Sequence, residues 1–321
     1  MSSSGKHKTP AIVLLLFNRP EATRAVVEEV LAAKPRKVYA IADGPRPDHP
    51  ADHALCGEVR QIVTGAGWGI PVDTHFSDSN LGLKKRVSSG LDWVFQHEEQ
   101  AVILEDDCLP DPSFFRFAGE LLERFAHDER VGMISGNNFF WGSIPSEDSY
   151  FFSPDVRIWG WATWGRVWRD FSESGLHLDR AEEDVVDLLQ KIPSPLRRSA
   201  LLNTQKKASA SSWARPFVLH CLERGYLNPT PRVNLVTNIG FGGTATHTGF
   251  ESFTAQVPRR SIDFPLRHPA SVAAPQQLGE MEARAHRRRL VTFPLRHPFD
   301  FLGRVARFLR QRRVAHGPHS S

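Results

Sequence analysis

The sequence predicts an α/β fold in which a mostly parallel central sheet carries helices on both faces. Two patterns lead there: short apolar runs recur through residues 11–135, and stripes of Val, Leu and Phe at helical spacing lie between them. Unbroken hydrocarbon marks strands buried on both faces, and strands separated by helices pair in parallel. A third pattern locates the chemistry: the run Ala101-Val-Ile-Leu104 ends in Glu105, Asp106 and Asp107.

Taken in order, Ile12 to Phe17 is the first strand. Asn18-Arg19-Pro20 opens a helix, with Pro20 suited to its first position and Val26, Val27, Val30 and Leu31 as its apolar stripe. Lys37 to Ala42 is the second strand. A helix through Leu55, Val59, Ile62 and Val63 leads past glycines 65, 67 and 69 to a third strand, Val72 to Phe76. A helix from about Leu83 to His97 precedes the acid-tipped fourth strand. Asp111-Pro112 starts another helix bearing Phe114, Phe115, Phe117, Leu121 and Leu122, and Val131 to Ser135 is the fifth strand.

Past Gly136 the rhythm breaks. Residues 137–169 are rich in Phe and Trp, Glu182 to Gln190 is helical in pattern, and Ser209–Ser212 is a short linker before a helix through Leu222. The expected organisation is a disordered stretch at 1–9, an α/β region at 10–136, a smaller irregular lobe completing the same domain at 137–260, and a basic tail with a short amphipathic helix at 261–321. The hexapeptide Phe264-Pro-Leu-Arg-His-Pro269 recurs at 293–298. Two copies are too short for a solenoid and read as a tail duplication without function.

At 321 residues and 40% hydrophobic content the chain can build a sizeable core. Its longest apolar run, Ala11 to Phe17, falls far short of the roughly 20 residues that span a bilayer, and the start lacks a signal-peptide pattern, so a cytoplasmic location is expected. Cys56, Cys108 and Cys221 are odd in number and widely spaced, as for reduced thiols. Ten arginines against Glu282 and Asp300 place +8 of charge between residues 281 and 313, leaving the rest at −4 against a net +4. A near-neutral body argues against nucleic acid as partner. In the tail, Phe299, Phe301, Leu302, Val305, Phe308 and Leu309 alternate with arginines, which fits a short amphipathic helix making peripheral contact with anionic lipid, or one packed on its own domain.

Several chemistries lose support. There is no G-x-x-x-x-G-K-[ST] loop and no G-x-G-x-x-G turn after the first strand, and that strand ends in Phe17-Asn18-Arg19 rather than a nucleophilic Asp. Three adjacent carboxylates repel one another unless a cation offsets them, and they emerge at the carboxyl end of a strand, where open α/β sheets bind ligands. Metal-assisted transfer from a diphosphate leaving group fits; a solvated acidic turn capping the helix after Pro112 is the alternative. Lys84, Lys85 and Arg86 open a helix from which cations reach phosphate, or form a solvated face. Trp159, Trp161, Trp164 and Trp168 are the densest aromatic cluster: a sugar stacks on Trp159 or Trp161, or these join Trp164 and Trp168 in the core, the 161, 164, 168 spacing matching one helix face.

The motifs Phe17-Asn-Arg-Pro20, Ala42-Asp-Gly-Pro45, Asn80-Leu-Gly82, Leu104-Glu-Asp-Asp107, Ile158-Trp-Gly-Trp-Ala-Thr-Trp164, Asn234-Leu-Val-Thr-Asn-Ile-Gly-Phe241 and Ala245-Thr-His-Thr248 resemble those of bacterial GT-A-fold glycosyltransferase-like proteins over residues 10 to 270. More distantly, their order is similar to N-acetylglucosaminyltransferase I. The resemblance implies a GT-A fold and transfer of a sugar from a nucleotide-diphosphate donor, a UDP-sugar by the second likeness, to a glycan or lipid-linked acceptor. It implies Mn²⁺ or Mg²⁺ held by Asp107 and His247, with Asn18, Arg19, Asp43, Lys85, Glu105 and Asp106 on the nucleotide sugar. Relatives often carry Trp-Asp before the late helix; this chain reads Trp213-Ala214, so no residue is assigned as catalytic base. A sugar-phosphate nucleotidyltransferase or a non-catalytic nucleotide-sugar-binding protein are the alternatives. The first should carry a glycine-rich loop with Lys or Arg after strand one, and Asn18-Arg19-Pro20-Glu21 is not that.

Overall fold

Six hydrocarbon residues, Ala11–Leu16, form β1 and are all buried at the centre of the sheet. In the computed structural model, residues 9–138, 140, 147–174, 182–192, 195, 198, 213–240, 257–278, 280, 281 and 284 are described. β1 pairs in parallel with β2 (Val38–Ala42) on one side and β4 (Gln100–Glu105) on the other, and β3 (Val72–Phe76) lies beyond β2. The connecting helices are α1 (Pro20–Ala33), α2 (Ala51–Thr64) and α3 (Leu83–Val94). Parallel pairing delivers the carboxyl ends of β1, β2 and β4 to one edge, so Phe17–Arg19, Asp43 and the acids meet there. The fold is the expected mixed α/β class with a mostly parallel six-stranded sheet.

Beyond β4 the order differs from a simple continuation. β6 (Met133–Ser135) matches the expected fifth strand, yet β8 (Trp161–Trp164) inserts between β4 and β6, antiparallel to both, giving the order β3-β2-β1-β4-β8-β6. The expected helical face through Trp161 and Trp164 is therefore a strand. All four β8 residues are buried, as a strand enclosed on two sides requires, and the helix begins only at α5 (Gly165–Glu173) with Val167, Trp168 and Phe171 turned inward. Trp164 and Trp168 belong to the core as expected, their indole N–H groups donating to the Leu122 carbonyl (3.1 Å) and to Asp92 (2.8 Å).

Two ribbons finish the edge. β5 (Cys108–Pro110) pairs antiparallel with β10 (Val236–Asn238), setting Asn238 opposite Cys108, and β7 (Tyr150–Ser153) pairs with β9 (Asn228–Pro231). α4 (Pro112–Arg124) starts at Asp111, whose carboxylate accepts from the Ser113 amide, and it buries the expected Phe and Leu stripe. α6 (Glu182–Leu189) and α7 (Ala214–Glu223) pack together. The segment 257–278 lies against the domain: Ile262 and Leu266 are buried, the Arg116 guanidinium sits 4.0 Å from the Phe264 ring centroid, and Tyr150 meets His268 at 3.1 Å.

Cys56, Cys108 and Cys221 are free, buried thiols. Among the described residues no helix is long and apolar enough to cross a membrane. Residues 1–8, His247, the second hexapeptide at 293–298 and the expected amphipathic helix at 299–313 lie outside the described residues.

Candidate functional site

β4 leaves the sheet at Glu105, and the chain turns through Asp106 and Asp107 before entering β5. Both aspartates are buried, at 3% and 6% exposure, which is rare for carboxylates without partners. Their chief partner is Arg19, whose Nη1 donates to Asp106 Oδ1 at 2.8 Å and to Asp107 Oδ2 at 2.9 Å. Asp106 Oδ2 also accepts from the Phe17 amide (3.0 Å), and Asp107 Oδ1 from Asn238 Nδ2 (3.1 Å). Thus β1, β4 and β10 are tied at one point. The half-buried Glu105 carboxylate has no hydrogen bond or ion pair among the described residues.

One guanidinium therefore faces three carboxyl groups. Burial, reinforced by the charges of Asp107 and Asp106, pushes Glu105 up to about 8. Burial raises Asp106 to about 6 despite Arg19, and likewise lifts Asp107 above the usual carboxylate range. Burial opposes the Arg19 charge, yet the two aspartates outweigh it and hold its pKa up. Among the described residues the edge is short of positive charge.

Asp43, at the end of β2, is buried and its carboxylate accepts from the amides of Gly44 (2.9 Å), Leu81 (2.9 Å) and Gly82 (3.0 Å). Asn80 Nδ2 returns a bond to the Gly44 carbonyl (2.8 Å). A Cβ at Gly44 would lie 2.4 Å from the Ser79 carbonyl carbon, so only glycine permits this approach. Asp-Gly and Asn-Leu-Gly are thus one knot, which fixes the entry to α3. Asn18 donates to Asp52 (2.8 Å), which is also held by Arg46 Nε (2.6 Å). The hydrogen bond from Arg46 first of all lowers Asp52 to about 2. Lys85 is exposed in the first turn of α3, on a cleft of about 550 Å³ between α3 and α5 that Leu81, Gly82, Lys84, Asp92 and Trp168 also line.

Trp159 is half-buried at the same edge. Trp161 is fully buried, with Trp213 stacked at 5.7 Å and Phe217 at 5.1 Å. This corrects the expectation that it offers its face to a sugar, because core rings already cover it. Ala214 opens α7 next to this stack.

The 234–241 motif contains Asn238 and Gly240, but sequence reasoning assigned neither a contact with Asp107. A Cβ on Gly240 would come within 2.1 Å of Asp107 Oδ2, so the backbone at 240 lies directly over that carboxylate. Neither residue bears a charge, and both reach the site through pairing of β10 with β5, which local pattern does not reveal. Among the described residues no three His, Cys, Asp or Glu side chains converge to hold a metal ion. The acids still fit a hard divalent ion of the kind that takes one or two carboxylates and completes its shell with water and substrate phosphate. The unpartnered Glu105 and the deficit of positive charge are the grounds for that fit.

No family model matches the sequence, and no curated protein matches it. Among solved structures, the chain is similar to a mannosyltransferase from Pyrobaculum calidifontis in complex with GDP-Man and Mn²⁺, at 13% identity and a TM-score of 0.35, over 52% of this chain and 46% of that one. It is also similar to a UDP-glucose pyrophosphorylase complexed with UDP-glucose, at 10% identity and a TM-score of 0.31, over 51% of this chain and 79% of that one. The chain thus spans about half the length of the mannosyltransferase, and likenesses this distant leave the function to be argued from the chain's own residues.

Proposed function

We propose that the chain is a metal-dependent glycosyltransferase that moves a sugar from a nucleotide-diphosphate donor to a glycan or lipid-linked acceptor. The observation that carries this reading is the set of carboxyl groups at 105–107, two of them buried and offset among the described residues by Arg19, at the edge where parallel strands present their carboxyl ends. Asp107 would hold Mn²⁺ or Mg²⁺, with His247 as the second protein ligand. A bound divalent ion supplies positive charge against the diphosphate as it leaves. Arg19 orients Asp106 and Asp107, and the Asp43 knot positions the start of α3, from which Lys85 reaches phosphate. Asn18 braces the turn between Arg19 and α2.

A nucleotidyltransferase would need a glycine-rich basic loop after β1. Here Pro20 occupies the first turn of α1 directly and Arg19 is turned onto the acids, which speaks against it. Ala214 favours a different second reading, a protein that binds nucleotide sugar without turning it over. The basic stretch at 281–313 is the segment we assign to contact with a lipid-linked acceptor's membrane, with the protein on the cytoplasmic side.

A melting screen of UDP-glucose and GDP-mannose with and without Mn²⁺ tests the donor reading. Ligand at about 100 times its Kd stabilises by about 2.7 kcal/mol, so a rise of several degrees is expected with Mn²⁺ and its loss in Asp107→Ala. Stabilisation that survives Asp107→Ala unchanged would remove Asp107 from the site. Donor binding without hydrolysis or transfer across an acceptor panel would select the non-catalytic reading.

A further inference from the structure

Three neighbouring side chains, Ser135 in β6, Asn137 two residues beyond it and Trp161 in β8, carry buried polar atoms with no partner among the described residues. The Ser135 hydroxyl, both ends of the Asn137 amide and the Trp161 indole N–H make no hydrogen bond. Ser135 and Trp161 are fully buried, and Asn137 is 1% exposed. Folded proteins pair nearly all such groups, and a whole amide left unpaired calls for a reason.

Register gathers them on one face. Trp161 stands between Ile103 of β4 and Ser135 of β6. The Gly136 amide donates to the Gly160 carbonyl at 2.7 Å, which carries the ladder one step further and sets Asn137 opposite Trp159. A Cβ built on Gly136 would meet Phe114 and Val236, and one on Gly160 would meet Val236 and Leu104. Those positions face α4 and β10, so Ser135, Asn137, Trp159 and Trp161 face the opposite side, as does Glu105 two residues beyond Ile103. Along the carboxyl edge of the sheet the row therefore reads Glu105, Trp159, Asn137.

The rings of Trp213 and Phe217 that cover Trp161 offer no acceptor to its N–H. A sugar ring supplies what the row lacks. Each hydroxyl both donates and accepts, which suits an amide with both ends unsatisfied, while the C–H face of the ring lies well on an indole such as Trp159. Resting on the donor reading above, we infer that Asn137 is a specificity residue that hydrogen-bonds a hydroxyl of the sugar carried by the nucleotide donor, beside Trp159. Asn137 is 1% exposed, so a sugar reaches it only as the side chains over it move aside.

Titration calorimetry of the full chain with UDP-glucose, UDP, GDP-mannose and GDP, each with Mn²⁺, tests this in the wild type and in Asn137→Leu. The variant is expected to bind the preferred sugar nucleotide about tenfold more weakly while its affinity for the matching bare diphosphate stays within about twofold. Its melting temperature without ligand is expected to hold or rise, because an apolar side chain of similar size replaces an unsatisfied amide. Asn137→Ser, too short to reach the same hydroxyl, is expected to show the same selective loss and serves if the leucine variant fails to fold. Equal loss for sugar nucleotide and bare diphosphate, no loss for either, or a clear drop in melting temperature in both variants would each overturn the assignment. Failure of the wild type to bind any of the four probes would overturn the donor reading itself, and it is visible before any variant is made.

Discussion

Arg19 is the residue on which the acidic edge depends. Its guanidinium is the described ion-pair partner of both Asp106 and Asp107, and removing one side of a buried pair leaves uncompensated charge that typically costs about 3–5 kcal/mol. Arg19→Met is therefore expected to lower the melting temperature strongly at pH 8 and much less at pH 5, where the raised carboxyl groups take up protons instead. Melting at the two pH values checks it, and an equal loss at both would mean that Arg19 acts through packing alone. Gly240 makes a separate point about geometry. With a Cβ only 2.1 Å from Asp107 Oδ2, Gly240→Ala has to displace either that carboxylate or its own backbone. The expected result is loss of Mn²⁺-dependent stabilisation by nucleotide sugar with a change in unliganded stability of about 1 kcal/mol or less, since the group it meets is the end of a side chain and not backbone. Wild-type response to Mn²⁺ in that variant would show that the position of Asp107 is not critical.

Among the elements, α4 shows how local signals and tertiary contacts converge. Asp111 accepts from the Ser113 amide at 2.9 Å and hydroxyl at 2.6 Å, and also from the Ser261 hydroxyl at 3.0 Å, so one cap also anchors the segment 257–278. Asp111→Ala is expected to cost about 1–2 kcal/mol, at the upper end for a lost cap, and a lower denaturant midpoint with unchanged slope would register it. This helix was legible because Asp-Pro at its start and the Phe and Leu stripe are local signals, and the same holds for β1 to β4, whose hydrocarbon runs are burial patterns in themselves. The placement of Arg19, Asp43 and the three acids on one edge followed from parallel pairing of those strands. β8 was misread because Trp161, Trp164 and Trp168 fit helical spacing, whereas the strand is dictated by its neighbours on both sides. Asn137, Asn238 and Gly240 were not singled out for a related reason. They are small or uncharged, and each gains its meaning from a non-local pairing: β6 with β8, or β5 with β10. The Asp43 role was legible as a position but not as a device, because the amides of Leu81 and Gly82 that it holds lie almost forty residues away.

For the whole molecule, the charge deficit at one edge sets the dependence of stability on pH. Glu105 sits near 8 and Asp106 near 6 in the folded protein, against about 4.3 and 3.9 in an unfolded chain. Between about pH 4 and pH 8 the folded state consequently holds protons that the unfolded state has released, so stability falls as pH rises through that window. Asp52 acts in the opposite sense. Its pKa is lowered to about 2, so the stability it contributes is complete above about pH 4 and is lost as pH falls toward 2. Together these predict that the metal-free protein melts highest near pH 4–5 and loses several degrees by pH 8. Mn²⁺ with UDP-glucose should reverse the descending limb, because an ion that binds carboxylate competes with protons and gains most where few remain. Melting curves from pH 2 to 9 in EDTA, and again with Mn²⁺ and UDP-glucose, measure both limbs. The double variant Glu105→Gln, Asp106→Asn separates this cluster from every other titrating group in the chain, since it should flatten the decline above pH 5 while leaving the acid limb in place. A metal-free protein whose melting temperature is flat or rising from pH 5 to pH 8 would contradict the deficit. The acids at 105–107 would then be compensated within the protein itself, and the case for a cation at that edge would fall with it.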